Sequence, residues 1–511
     1  MLGTWVDRAS SRLATLITTI MANRISIISA CACWIFIVGD NTRFGHRGSA
    51  PAGETTANEP EIWSRDFPHG VKITLFVVAL IFGVFEHLSR TMNTLSIERD
   101  WLPTLAPPHD VESEYGLAEL NAGIGRIDLI CKLFSPIFFS TFISVLGSTR
   151  IGILGVLALN CGTWTLEIWS ARRLWKMNGR VREPKQSASE NISTGETDSL
   201  ITREGGQAQI HRVWPNFRQF FRRNGHFPCA AFSAPRIWLL DYYQNLTIFF
   251  SHPVWIPSMA LSVVHFSVLN YSATLTVYLL NSGFSLNMIS VAKMLSGVCE
   301  ISSTFFTPWA VRRMGATLVA RHPGRLLDNA SVNTPLFANL EQERINDHQE
   351  NIAAEDKEDA VFIPETDMGV AMLGFFGLAQ MEIFLLPALG ALWFLSSYAN
   401  GPSQAIAPST IITTVLVLTI SFSRFGRWTN HLATRQLTQT LVPAAHRSGF
   451  AGAEAGFVSL FELGHWVATA VWNQRGQFRW HAISSVLGVA VSTAAYGVWL
   501  RRVVREGRTR Q

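Results

Sequence analysis

Residues 1–38 read MLGTWVDRASSRLATLITTIMANRISIISACACWIFIV. A short polar opening with Gly3, Trp5, Asp7 and Arg8 runs into an apolar stretch over 14–38. A helix that crosses a bilayer needs about 20 predominantly apolar residues, and this stretch is long enough. Its strongly polar interruptions are Asn23 and Arg24. The order Gly, Asp-Arg, then an apolar helix usually occupies a loop between two membrane helices. No helix precedes it here, so the expectation is a polytopic protein that lacks the first helical hairpin of its bundle.

The apolar pattern recurs about ten times at spanning length: over 14–38, 71–95, 123–146, 151–171, 248–280, 286–310, 369–397, 407–423, 450–472 and 481–500. The composition agrees, because the 511 residues are 48% hydrophobic, only 15% charged, and include 17 Trp and 33 Phe. Polar segments separate the runs at 39–70, 174–240 and 312–368. Arginines crowd the exits at Arg172 and Arg173, at Arg312 and Arg313, and at Arg501 and Arg502. Positive charge marks the cytosolic side, which puts 39–70 outside and both termini inside. The expected organisation is an incomplete N-terminal lobe of four spans over 1–173, a cytosolic loop over 174–244, a C-terminal lobe of six spans over 245–500 with an insertion at 312–368, and a cytosolic tail over 501–511. Six plus six is a common transporter plan, with two bundles rocking about a midplane site.

Several classes fall away. The net charge of +5 comes mainly from arginines at span ends, which argues orientation and not nucleic-acid binding. The six cysteines at 31, 33, 131, 161, 229 and 299 form no paired CxxC pattern, so neither a zinc site nor a disulfide framework is expected. No secretory signal peptide is visible. No nucleophile–base pair, phosphate loop or histidine cluster points to an enzyme.

Ionisable groups inside spans are costly, and each is a site hypothesis. The second span holds Glu86 and Arg90 one turn apart, placed to neutralise each other. The fourth reads LNCGTWTLEIW, and its Asn160 and Glu167 are two turns apart on one face. Two oxygen donors so placed suit a hard cation or a proton, and they equally suit helix–helix hydrogen bonding. The fifth span has a polar patch at Asn270, Ser272, Thr274 and Thr276, which either weakens the helix and exposes carbonyls to a cavity or serves as packing glue between helices. The ninth reads SLFELGHWVATAV, with Glu462 and His465 three residues apart. Carboxylate plus imidazole is a plausible pair for a divalent transition metal.

Several stretches together resemble the ferroportin family of iron exporters, solute carrier family 40 of the major facilitator superfamily. GTWVDRASSRL is similar to the family's cytosolic loop between helices 2 and 3, LSIERDW to the loop after helix 4, and NAGIGRIDLICKLFSPI to helix 5. GLAQM at Gly377–Met381 resembles helix 9, and SRFGRW followed by LATRQLTQ resembles the end of helix 10. The resemblance implies an all-α, two-lobe membrane bundle in which the ten spans are family helices 3 to 12. It also implies a transporter of Fe(II) or a similar divalent metal that exports by alternating access and holds no tightly bound cofactor.

Site residues follow from the resemblance position by position. Asn23, Asn160 and Glu167 match the family's bound-calcium positions on helices 3 and 6, which implies a regulatory Ca(II). Asp7, Arg12, Asp100, Asn121 and Arg447 match the cytosolic gate. His465 matches the metal-binding histidine of helix 11, while the partner cysteine and the aspartate before it are Ala273 and Ser272 here. The remaining partners of His465 would come from Glu462, Asn270, Ser272 or water. Without that cysteine, control by a vertebrate-type peptide hormone is not expected. The loops at 174–240 and 312–368 offer Ser, Thr and Lys for kinase or ubiquitin regulation, or serve as solvated linkers. The protein is expected in the plasma membrane or a vacuolar or endosomal membrane. Two other readings stay open: a major-facilitator carrier of a small organic solute, and a truncated product that transports nothing.

Overall fold

The structure is a computed structural model that describes residues 2–9, 11–38, 69–106, 116–146, 149–182, 235–321, 365–399, 410–472 and 474–509. Most of the segments expected as loops at 39–70, 174–240 and 312–368, with their regulatory Ser, Thr and Lys, lie outside the described residues. Regular structure among the described residues is helical, without strands. The long helices are α1 Leu2–Arg8, α2 Arg12–Ile37, α3 His69–Leu95, α4 Leu117–Leu146, α5 Thr149–Met177, α6 Pro235–Ser251, α7 Trp255–Val264 and α8 Ala273–Asn281, then α9 Leu286–Arg321, α10 Glu365–Ala399, α11 Thr410–Leu441, α12 Arg447–Val471 and α13 Phe478–Thr509. Helix occupies the described residues of the ten expected spans except in the fifth, which is broken between α6 and α7 and again between α7 and α8.

By length and composition, Arg12–Ile37, Gly70–Leu105, Arg150–Met177, Asp367–Leu395 and Phe478–Arg505 can each cross a bilayer. The pair Asn245–Ser251 and Trp255–Val264, bent by 109°, raises that number to six among the described residues. The exposed face of α3 carries Ile73, Phe76, Val77, Leu80, Ile81, Val84 and Phe85. A row of large apolar side chains facing outward on a helix suits hydrocarbon and not water.

Contacts divide the chain into two compact units. The first joins residues 1–105, 139–252 and 443–453. In it α2 packs on α3 and α5 around Leu16, Ile20, Trp101, Ala171 and Val181. Ser11 starts α2 by accepting a hydrogen bond from the Ala14 amide at 3.4 Å. The far end of α3 winds into a π-helical turn over Ser96–Trp101, which carries Arg99 and Asp100. Such turns re-aim side chains within a continuous helix.

The second unit joins residues 106–138, 253–442 and 454–511. Its most extensive packing is between α10 and α11. Gly377 and Gly426 bring these two backbones together: a Cβ on Gly377 would lie 2.6 Å from the Gly426 carbonyl oxygen and 2.8 Å from the Asn430 amide. Asn430 Nδ2 donates to the Gly374 carbonyl at 3.0 Å, and Gln380 Nε2 to that of Phe422 at 3.0 Å. Small residues with flanking amide bonds are the usual glue of helix pairs in lipid.

Gly426→Val therefore drives a branched side chain into the Gln380 side chain, which can move, and into the Gly377 carbonyl and Met381 amide of the α10 backbone, which yield far less readily. Overpacking of a relaxable core costs about 1–3 kcal/mol, and this site should reach at least the top of that range. Purified Gly426→Val should show a lowered thermal midpoint and a loss of monodisperse protein. Gly390→Ala, with nothing within 4 Å of its added Cβ, should match the wild type.

Candidate functional site

The opening stretch packs on the first turn of α12. Asp7 Oδ1 accepts from the Ser448 amide at 3.1 Å and Oδ2 from the Gly449 amide at 2.6 Å. The first amides of a helix have no partner within the helix and sit at the positive end of its dipole, so a carboxylate is the natural cap. Gly3, one turn before Asp7, faces the same surface, and a Cβ there would collide with the Ser448 carbonyl. These contacts account for both the Gly and the Asp of GTWVD.

Beside this cap lies a cluster of opposite charges. Arg12 Nε donates to Asp100 Oδ1 at 2.9 Å, with both side chains largely buried at 14% and 10% exposure. Arg99, which the sequence reading did not single out, is buried on the same π-helical turn. Arg447, at the N-terminal end of α12, feels this whole cluster. Burial and the Arg99 charge push its guanidinium down to about 10, against the opposing pull of Asp100 and Asp7. Four of the five expected gate residues thus belong to one charge cluster. The fifth, Asn121, lies in the second unit. There it pairs reciprocally with Gln439, Nδ2 to Oε1 at 2.5 Å and Nε2 to Oδ1 at 3.1 Å, fully buried.

Asn160 and Glu167 do converge, as their spacing predicts, but they converge on Arg24. Its Nε donates to Glu167 Oε2 at 3.1 Å, and its two terminal nitrogens donate to Glu167 Oε1 and Asn160 Oδ1. Asn23 turns the other way and donates to the Glu86 carbonyl at 3.2 Å and Ser89 Oγ at 3.4 Å, on α3. Successive helical residues differ by about 100° in direction, so Asn23 and Arg24 face different neighbours. Calcium takes about six to eight oxygens. Here the two donors are already engaged by a guanidinium, and the third does not join them. This arrangement does not fit a resident calcium ion; the positive charge at that place belongs to Arg24.

In the second unit the fifth span unwinds over residues 265–272. The polar patch is used first to satisfy the freed backbone. Asn270 Nδ2 donates to the Ser267 carbonyl at 3.2 Å, and its Oδ1 accepts from the Ser272 amide at 2.9 Å. The Val268 amide donates to Ser485 Oγ of α13 at 2.9 Å. Past the break, Thr274 Oγ1 lies 3.4 Å from Nε2 of His465, which is buried on α12. The Ser272 hydroxyl is buried without a hydrogen-bond partner among the described residues. Glu462, expected to share a face with His465, is exposed. A second histidine that the sequence reading did not weigh, His481 of α13, stands against His465 with ring centroids 5.2 Å apart. Its place at the very start of an apolar span was the one, weak, signal in the sequence. No group of three or more His, Cys, Asp or Glu side chains gathers at metal-binding distance among the described residues.

The sequence matches the family model described as Ferroportin1 (FPN1) over residues 1–320 and 361–489. Ferroportin of Rattus norvegicus is 20% identical over 527 aligned positions, which cover 97% of this chain and 81% of that protein. Solute carrier family 40 member 1 of Oryza sativa subsp. japonica is 24% identical over 243 positions; they cover 47% of this chain and less than half, 44%, of that relative. Among solved structures, a bacterial homologue of the iron transporter ferroportin, in an outward-facing state with soaked iron, matches with a TM-score of 0.59. That match covers 97% of this chain and 85% of the other at 15% identity, and so bears on the fold alone. The exposed apolar helices make the chain an integral, multi-pass membrane protein, and the span of the family match makes it a member of the Ferroportin1 (FPN1) family.

Proposed function

We propose that this chain carries a divalent metal ion, iron foremost, across a membrane and exports it by alternating access. The observation that carries this reading is the interrupted span at 265–272, beyond which Thr274 meets the buried imidazole of His465. A break in a membrane helix is tolerated where the freed backbone lines a cavity, and carriers place substrate sites at such breaks. Imidazole and hydroxyl donors suit a first-row divalent metal. The names of the rat protein and of the bacterial structure, ferroportin and iron transporter, support the same cargo.

The Asp7 cap and the Arg12–Asp100 pair act as the cytosolic latch. They hold α1, the π-helical turn and the start of α12 together, and opening toward the cytosol breaks them. Arg24 replaces a regulatory cation and ties α2 to α5 permanently.

Three outcomes test this. In vesicles loaded with Fe(II) or Co(II), His465→Ala should lower metal-dependent transport at least about tenfold, the lower range of losses when a metal site is perturbed; a metal-independent carrier would be indifferent. Asp7→Ala removes both caps from α12, a loss of about 0.5–2 kcal/mol. A cysteine placed at Ser448 should then react several-fold faster with a membrane-impermeant maleimide, and an unchanged rate would rule the latch out. Finally, chelation of calcium should leave metal transport unchanged, and a calcium-stimulated rate would contradict the role given to Arg24.

A further inference from the structure

We propose that His481 is a metal ligand, and that with His465 it forms a two-imidazole site for a borderline divalent cation such as Fe(II), Co(II) or Zn(II). The inference rests on the metal-carrier reading for its biological meaning, but the binding itself is measurable without transport.

The spacing fits a shared ion. A metal bound about 2.1 Å from one nitrogen of each ring lies about 3.2 Å from each ring centre, and a tetrahedral angle then sets the centres about 5.2 Å apart. The two rings stand 5.2 Å apart, with planes inclined by 45°.

His481 is fully buried, and neither Nδ1 nor Nε2 has a hydrogen-bond partner among the described residues. A neutral imidazole carries one donor and one acceptor, and burial of both unpaired is costly. The rings around it, Phe266 at 6.3 Å, Trp472 at 5.8 Å and Phe478 at 6.1 Å, have no oxygen to offer. A structural histidine would be expected to use at least one nitrogen on a carbonyl, as His265 does at 3.1 Å on Leu261. A bound cation would engage one nitrogen of His481.

The same turn of α13 is tied to the unwound segment. Ser485 Oγ accepts from the Val268 amide at 2.9 Å and donates to the His481 carbonyl at 2.8 Å. His481 therefore sits in register with the break. Thr274 Oγ1, the unpartnered Ser272 Oγ and water complete the coordination. Ala273 supplies no thiolate, so all protein donors are neutral. Neutral imidazoles favour first-row transition metals over calcium or magnesium.

Co(II) alone, added to the purified full chain in detergent, is the probe. X-ray absorption of the wild-type complex should count two imidazoles per ion. His481→Phe and His465→Phe should each weaken Co(II) binding by at least about tenfold, since even outer-shell losses cost about 10–100-fold. The double variant should bind little more weakly than either single one. If His481→Phe binds as the wild type does while His465→Phe does not, His481 is no ligand and the metal-carrier reading survives. If neither variant changes binding and vesicles show no metal-dependent transport, both fall. If His481→Phe does not fold, the imidazole count on the wild type decides, and a count of one overturns the proposal.

Discussion

A charge placed inside an apolar helix must find its counter-charge on a neighbouring helix. On insertion scales an Arg at the centre of a membrane span costs about 2.5–3.5 kcal/mol. Arg24 meets that cost through a two-pronged contact with Glu167 and a third bond to Asn160. In the second unit Arg424 Nε reaches Glu300 Oε1 at 2.6 Å, with side chains 11% and 15% exposed. The Arg424–Glu300 pair does not tolerate loss of one partner, because the survivor would be a buried charge without compensation. The fork of a guanidinium also fits a carboxylate in few geometries. Each pair thus sets the register of two helices, α2 with α5 and α9 with α11. Helices so tied move together, and motion is left to contacts that water can reach.

The second constraint is the backbone. In the span broken over 265–272, each freed amide and carbonyl competes for the local polar side chains. Asn270 is consumed at both ends of its amide, and Ser485 is drawn in from α13. This ordering explains why a polar residue in a broken helix is a weak guide to cargo binding. Only the donors left after the backbone is served can hold an ion. Here those are the groups past the break and on the facing helices: Ser272, Thr274, His465 and His481.

The spans were legible because the bilayer demands long apolar runs, and such runs show in any one-dimensional reading. Their ends were less so. Helix α9 continues to Arg321 and α11 to Leu441, well past their apolar segments. In α11 the polar residues Thr429, Asn430, Thr434, Thr438 and Gln439 are buried in helix packing, which a hydropathy reading does not register. Within a helix, spacing gave the shared face of Asn160 and Glu167. It could not say what that face meets, because the partner is set by a helix more than 130 residues away in sequence. For the same reason Asn23, expected beside Asn160 and Glu167, faces α3 instead, and Arg24 meets that pair. Three-residue spacing put Glu462 beside His465, yet a helix face about 100° wide can straddle the boundary between core and surface. One of the pair is exposed and the other buried. His481 escaped notice because a histidine at the start of a span resembles an interfacial residue until its burial is known.

The sequence-distant parts meet on one element. Helix α12 offers its first amides to Asp7 and its interior to the imidazole of His465. At a rise of about 1.5 Å per residue these points are roughly 24 Å apart along one uninterrupted helix. No proline breaks it. Loss of the Asp7 carboxylate frees two amides and leaves the positive end of the helix dipole without its anion. Water must then supply the missing partners, so the seating of the α12 terminus rests on one carboxylate placed near the start of the chain.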